Sequence, residues 1–164
     1  MKINFYISRL YSCRSLFLDM IMDKKYILVA EDDPDDRMLL QTAFIDKLLP
    51  ERLEFVENGA ELINYLQEIA GNSETGRTYP GVILLDLNMP KKNGRETLIE
   101  IKTNPQFKKI PVIIFTTTKN ESEIKRCYEL GANTYIVKPH NYDDLLRVLS
   151  ELRKYWFGIA SLFS

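Results

Sequence analysis

The sequence predicts an α/β fold: a doubly wound parallel sheet of five strands with helices on both faces. Three observations carry that expectation. Five short apolar runs, rich in β-branched or aromatic residues, recur at Tyr26–Ala30, Leu53–Val56, Val82–Leu85, Val112–Phe115 and Tyr135–Val137; they have the length of strands, not helices. Each is followed by an Asx residue with an acid three positions on: Asp33/Asp36, Asn58/Glu61, Asn93/Glu96, Asn120/Glu123 and Asn141/Asp144. That is the chemistry of a helix start, with the Asx oxygen accepting from backbone N–H and the acid reaching back, and Pro34 suits a first helical position. Finally, the runs differ in pattern.

The first, third and fourth runs are continuously apolar, as strands buried on both faces must be. Arg52-Leu53-Glu54-Phe55-Val56 alternates and reads as an edge, and the short fifth run suits the other edge. Five strand-then-helix units with those edges give (βα)5 in the flavodoxin-like order 2-1-3-4-5. Gly71–Pro80 reads as a polar surface loop.

Length and charge agree with one domain. The chain has 164 residues, 22 Lys+Arg against 23 Asp+Glu, and a formal net charge of −1. That is long enough for a substantial core and excludes a polycationic nucleic-acid coat or an acidic disordered chain. The total averages −4 over residues 23–149 with +2 over 1–22 and +1 over 150–164. No apolar stretch reaches the roughly 18 residues of a membrane span. Residues 1–22 are broken by Ser8-Arg9, Ser12 and Arg14-Ser15 and lack a small-residue cleavage pattern, so they are not expected to be a secretory signal. They read as a leader, either an over-extended start before Met20 or Met22 or an interaction arm. Cys13 and Cys127 form no framework or metal motif, which implies a reducing, cytoplasmic setting. With His140 as the single histidine, any two-histidine mechanism is excluded.

Chemistry concentrates at the carboxyl ends of the strands, where open parallel sheets bind ligands. The residues there are Glu31 and Asp32 after the first run, Asp86 after the third, Thr116 after the fourth, and Lys138-Pro139 after the fifth. Three carboxylates, a hydroxyl and an ammonium thus converge without being sequence neighbours. Clustered carboxylates repel unless a cation neutralises them, and hard oxygen donors select Mg²⁺ or Mn²⁺. A lysine and a hydroxyl beside them suit a phosphoryl group. Asp33, Asp35 and Asp36 complete an acidic run but read as caps and dipole partners of the first helix.

The pieces ILVAEDDPDD, VILLDLNMPKKNG, IPVIIFTTT and YIVKP, in this order and spacing, make the chain resemble a two-component response-regulator receiver domain over about residues 24–150. PKKNGRETLIEIK and the closing KYWFGIA are most similar to small stand-alone receivers associated with bacterial, cyanobacterial-type phytochromes. The resemblance implies that Asp86 accepts a phosphoryl group from a sensor histidine kinase, with phytochrome the candidate class. It implies that Asp32, Asp86 and the Asn88 backbone carbonyl bind Mg²⁺, with Glu31 acting through a bound water. It further implies that Thr116 and Lys138 hold the phosphoryl oxygens, that Tyr135 is the aromatic switch, and that Lys138–Pro139 is cis. Thr117 is larger than the Ala or Ser typical of its family position, which bears on access and dephosphorylation.

The domain division expected is a leader at 1–22, a receiver at 23–150 and an aromatic extension of the last helix at 151–164. The two flanks, 1–22 and 150–164, hold eight of the 18 aromatic residues, and such concentrations mark interfaces. A homodimer through Tyr155, Trp156 and Phe157 is expected, alongside an unidentified downstream protein. The 14 residues after the receiver lack a basic recognition helix, so no direct nucleic-acid partner is expected. Two rivals are a phosphorelay intermediate and, from another class, a metal-dependent phosphohydrolase. The latter wants a general acid two positions after Asp86, where Asn88 stands and cannot transfer a proton.

Overall fold

A computed structural model describes residues 25–71 and 77–162, so the 1–22 leader and part of the 71–80 loop lie outside the described residues. Five strands, β1 Ile27–Ala30, β2 Leu53–Val56, β3 Val82–Leu85, β4 Val112–Thr116 and β5 Thr134–Val137, form one parallel sheet in the order β2-β1-β3-β4-β5. The predicted class, order and edge strands are all present. The register runs Val56, Ala30, Leu85, Ile114 and Tyr135 across the sheet, so the strands finish nearly level. Whatever follows them therefore shares one rim.

The helices are α1 Pro34–Asp46, α2 Gly59–Gly71, α3 Gly94–Thr103, α4 Glu121–Glu129 and α5 Tyr142–Gly158. Their starts obey the expected chemistry in graded form. Asn93 and Glu96 make a full reciprocal capping box. Asn58 accepts from the Glu61 N–H at 3.0 Å, but the Glu61 carboxylate reaches back to the Glu57 N–H at 2.9 Å. Asp33 accepts from both Asp35 and Asp36 N–H, which leaves the Asp36 carboxylate free for another partner.

Two apolar layers clasp the sheet. On one face Ile27, Val29, Leu84, Ile113 and Phe115 meet Leu40 and Phe44 of α1 and Leu145, Leu149 and Leu152 of α5. On the other, Leu28, Ile83, Leu85 and Ile114 meet Leu62 and Leu66 of α2, Leu98 and Ile101 of α3, and Cys127 of α4. The central strands β1, β3 and β4 are buried along their whole length, as their unbroken apolar sequence requires.

The aromatic end is divided. Trp156, Phe157 and Leu162 pack on the α1/α5 core, while Tyr155 stays exposed. Lys25 ties this end down by donating to the Leu162 carbonyl at 2.7 Å. No helix among the described residues is long and apolar enough to cross a membrane. No cis peptide bond occurs among them either, so Lys138–Pro139 is trans, contrary to the expectation. The trans isomer is the intrinsically favoured one before proline, by roughly 0.5–1 kcal/mol, and here the Lys138 N–H reaches the Thr116 carbonyl at 2.8 Å.

Candidate functional site

Sheet hydrogen bonding continues one residue past the strands and places the site. Glu31 N–H donates to the Val56 carbonyl at 3.0 Å, Asp86 N–H to Ala30 at 3.1 Å, and Lys138 N–H to Thr116 at 2.8 Å. The backbones of these groups are thereby held by the sheet's own hydrogen bonding. The loop after Asp86 is drawn in by Gly94, whose N–H donates to the Leu87 carbonyl at 3.0 Å. A Cβ at Gly94 would stand 2.1 Å from the Asp86 carbonyl oxygen, so only glycine permits that approach. Asn88 N–H donates to Asp86 Oδ1 at 3.2 Å, orienting the carboxylate.

Lys138 is the hub. Its Nζ lies 2.6 Å from Glu31 Oε2, 2.7 Å from Asp36 Oδ2 and 2.8 Å from Asp86 Oδ2. Three N–H donors thus meet three carboxylates. Burial works against charge on this ammonium, but the bonds to Asp36, Asp86 and Glu31 outweigh it and hold the pKa above its ordinary value. Glu31 is buried, and that burial pushes its carboxyl up to about 6 despite the opposing pull of Lys138.

Glu31, Asp32 and Asp86 each offer a carboxylate oxygen, all within 4.8 Å of one another. One ammonium cannot neutralise them together with Asp36, so the cluster is left with surplus negative charge. All-oxygen donors of this kind fit a hard divalent cation. Thr116 sits on the opposite side chemically: it is fully buried, and its Oγ1 has no hydrogen-bond partner among the described residues. A buried hydroxyl without a partner costs free energy and wants a ligand oxygen.

The structure brings together Glu31, Asp32, Asp86 and Lys138 directly, adds Asn88 through its backbone N–H, and joins Thr116 to Lys138 through the main chain. Tyr135 bonds elsewhere: its hydroxyl donates to the Thr118 carbonyl at 3.0 Å, within the loop that follows Thr116. Burial pushes that phenol up to about 12, so it remains a donor at neutral pH. Asp36 is the residue that sequence reasoning missed, having placed it with the caps. No local signal marked it: Asp36 lies in the first turn of α1, and the bond that brings it to the rim is to a side chain 102 positions away. His140 lies off the cluster, with Nε2 at 2.8 Å from Lys119 Nζ.

Comparison with known proteins agrees with this geometry. Residues 27–150 match the family described as the response regulator receiver domain. Response regulator Rcp1 of Synechocystis sp. (strain ATCC 27184 / PCC 6803 / Kazusa) is 37% identical over 138 residues, 84% of this chain and 92% of that protein. Among solved structures, the phosphorylated cyanobacterial phytochrome response regulator RcpA is similar with a TM-score of 0.76 at 37% identity, covering 85% of this chain and 99% of that one. The Mn²⁺-bound form of Rcp1 gives a TM-score of 0.75 at 35% identity, covering 86% of this chain and 100% of that one.

Proposed function

The chain belongs to the response regulator receiver family, and from that premise we propose that it is a single-domain response regulator that takes a phosphoryl group from a histidine kinase onto Asp86 and signals by protein contact. The observation that carries this reading is the Lys138 ammonium 2.8 Å from Asp86 Oδ2, inside a cluster where two further acids await a cation. In the transfer, an Asp86 carboxylate oxygen attacks phosphorus, the P–O bond forms, and the P–N bond to the kinase imidazole breaks with its electron pair left on that nitrogen, so the ring leaves as neutral imidazole with its proton on the other nitrogen.

Asp32, Asp86 and the Asn88 carbonyl would hold Mg²⁺ (or Mn²⁺), with Glu31 acting through a water. The cation supplies charge neutralisation between the carboxylates and the incoming phosphoryl oxygens. Lys138 orients one phosphoryl oxygen, and Asn88 N–H steadies the acceptor carboxylate. Phosphorylation adds roughly one to two negative charges, by analogy with phosphoserine, and the unpartnered Thr116 hydroxyl is the donor free to meet them. Thr116 begins the β4–α4 loop that Tyr135 holds through the Thr118 carbonyl. A threonine drawn to the phosphoryl group would pull that loop, and Tyr135 would change partners with it, turning inward. Two loop states a few kcal/mol apart, roughly, suffice for such a switch.

A phytochrome-type kinase is the proposed donor, supported by the similarity to RcpA and by the segments PKKNGRETLIEIK and KYWFGIA. The single-domain reading is supported by the near-complete coverage of Rcp1. Tyr155, exposed beside a groove lined by Ile136, Val148 and Trp156, supports self-association through the C-terminal aromatics. Incubation with acetyl phosphate and Mg²⁺ tests the central reading. Intact mass should rise by about 80 Da, one phosphoryl group, and the gain should vanish without Mg²⁺ and in Asp86→Asn. An adduct retained by Asp86→Asn would overturn the assignment.

A further inference from the structure

We propose that Asp36 is a positioning residue: it is the resting partner of Lys138 and competes with a phosphoryl group on Asp86 for that ammonium. The inference rests on the phosphoacceptor reading and goes beyond it, because Asp36 belongs to no part of the cation cluster.

An ammonium has three N–H groups, and those of Lys138 face Glu31, Asp36 and Asp86 at 2.6, 2.7 and 2.8 Å. A phosphoryl oxygen can reach Lys138 only by displacing one of them. The three are not equally displaceable. The Glu31 side chain is 2% exposed and the Asp86 side chain 8%, so either would be left as a buried charge. The Asp36 side chain is 37% exposed, and water can replace the lysine there at small cost. Asp86 also carries the incoming group and stays within reach.

Among the described residues Asp36 makes no other side-chain bond, while its backbone N–H is already held by Asp33 at 3.4 Å. Its carboxylate is therefore placed by α1 and spent on Lys138 alone. It keeps the ammonium pointed into the site before phosphorylation and gives it up afterwards. The bond joins the first turn of α1 to the end of β5, 102 positions away in sequence. Releasing it therefore also loosens α1 from the β5 end of the rim.

The test is a matched pair of charge removals in the full chain. Asp36→Asn and Asp35→Asn each delete one negative charge from the same helical turn, but the exposed Asp35 makes no contact with Lys138. Beryllofluoride, a non-covalent phosphoryl mimic that coordinates a carboxylate, is titrated with Mg²⁺ present and followed by fluorine NMR. Asp36→Asn should bind it roughly fivefold more tightly, the size expected for one partly exposed ion pair. Asp35→Asn should change affinity by less than about twofold, the residue of a screened field. Asp36→Glu, which keeps the carboxylate, should stay near the unaltered protein. Equal effects in Asp36→Asn and Asp35→Asn would overturn the proposal, and so would an unchanged affinity in Asp36→Asn. Failure of the unaltered protein to bind the mimic would instead overturn the phosphoacceptor reading and this proposal with it.

Discussion

Two partly buried lysines sit at opposite ends of the sheet and solve the same problem differently. Lys138, at the carboxyl end, meets three carboxylates. Lys102, in the last turn of α3 beside the amino ends of β4 and β5, meets only neutral acceptors: the Ile110 carbonyl at 2.8 Å, Asn133 Oδ1 at 2.9 Å and the Lys108 carbonyl at 3.4 Å. Asn133 Oδ1 also accepts from the Val112 N–H at 2.9 Å, so this clasp joins α3 to both strand starts. Burial pulls the Lys102 ammonium down to about 8, whereas carboxylates hold Lys138 up. One end is a completed knot of neutral dipoles; the other carries more negative charge than its lysine can balance. That surplus of carboxylates suits the rim to a divalent cation, which the neutral clasp around Lys102 does not.

The largest expected effect follows directly. Lys138→Ala should slow phosphorylation by acetyl phosphate on the order of a hundredfold, the typical loss for one donor to developing phosphoryl charge. Lys102→Ala should leave that rate within about twofold, since it lies at the other end of β4. Comparable losses in both variants would erase the distinction.

Next comes the dependence of affinity on pH. Glu31 in the folded chain takes up a proton near pH 6, against an ordinary 4.5. Because its folded pKa is the raised one, this group favours the cation-free fold fully below pH 4.5 and loses that contribution as pH rises through 6. Cation binding needs the opposite, ionised form. Mg²⁺ affinity should be flat above about pH 6 and fall by up to roughly tenfold per unit below it. Calorimetric titration checks this, and Glu31→Gln should flatten the profile.

The smallest effect concerns stability. Lys102→Ala should cost about 1 kcal/mol in chemical denaturation, the net worth of the part-buried bond to the Ile110 carbonyl, and Mg²⁺ should not alter that cost. Destabilisation by Lys138→Ala should instead shrink as Mg²⁺ is added, since the cation replaces the missing positive charge among the carboxylates. If both costs respond equally to Mg²⁺, the charge-surplus description of the rim is wrong.

The contrast also explains what could be read from the sequence. Strand order and edges were legible because burial on two faces forces an unbroken apolar run, as in Val82–Leu85, while the half-covered Leu53–Val56 alternates. Glu31, Asp86 and Lys138 were legible because a charge ending such a run has to be accounted for. Asp36 was not, because the Asp33/Asp36 spacing already satisfies a local rule, and the bond that matters crosses 102 positions. Lys102 escaped for the same reason: its partners, a carbonyl and an amide 8 and 31 positions away, carry no motif. Local pattern reports what a helix start can do for itself; it is silent on side chains that one well-made cap leaves free.

Of the three clustered carboxylates, Asp86 alone should carry the phosphoryl group. The most direct measurement is to phosphorylate the protein with a histidine kinase, reduce the acyl phosphate with borohydride, and sequence the peptides by mass spectrometry. Reduction converts a phosphorylated aspartate to homoserine. Homoserine at position 86, with none at position 32 and no 5-hydroxynorvaline (the product from a phosphorylated glutamate) at position 31, is the predicted result. Homoserine at position 32, or phosphate recovered only on another residue, would contradict the claim that Lys138 and its surplus of acids are arranged around Asp86.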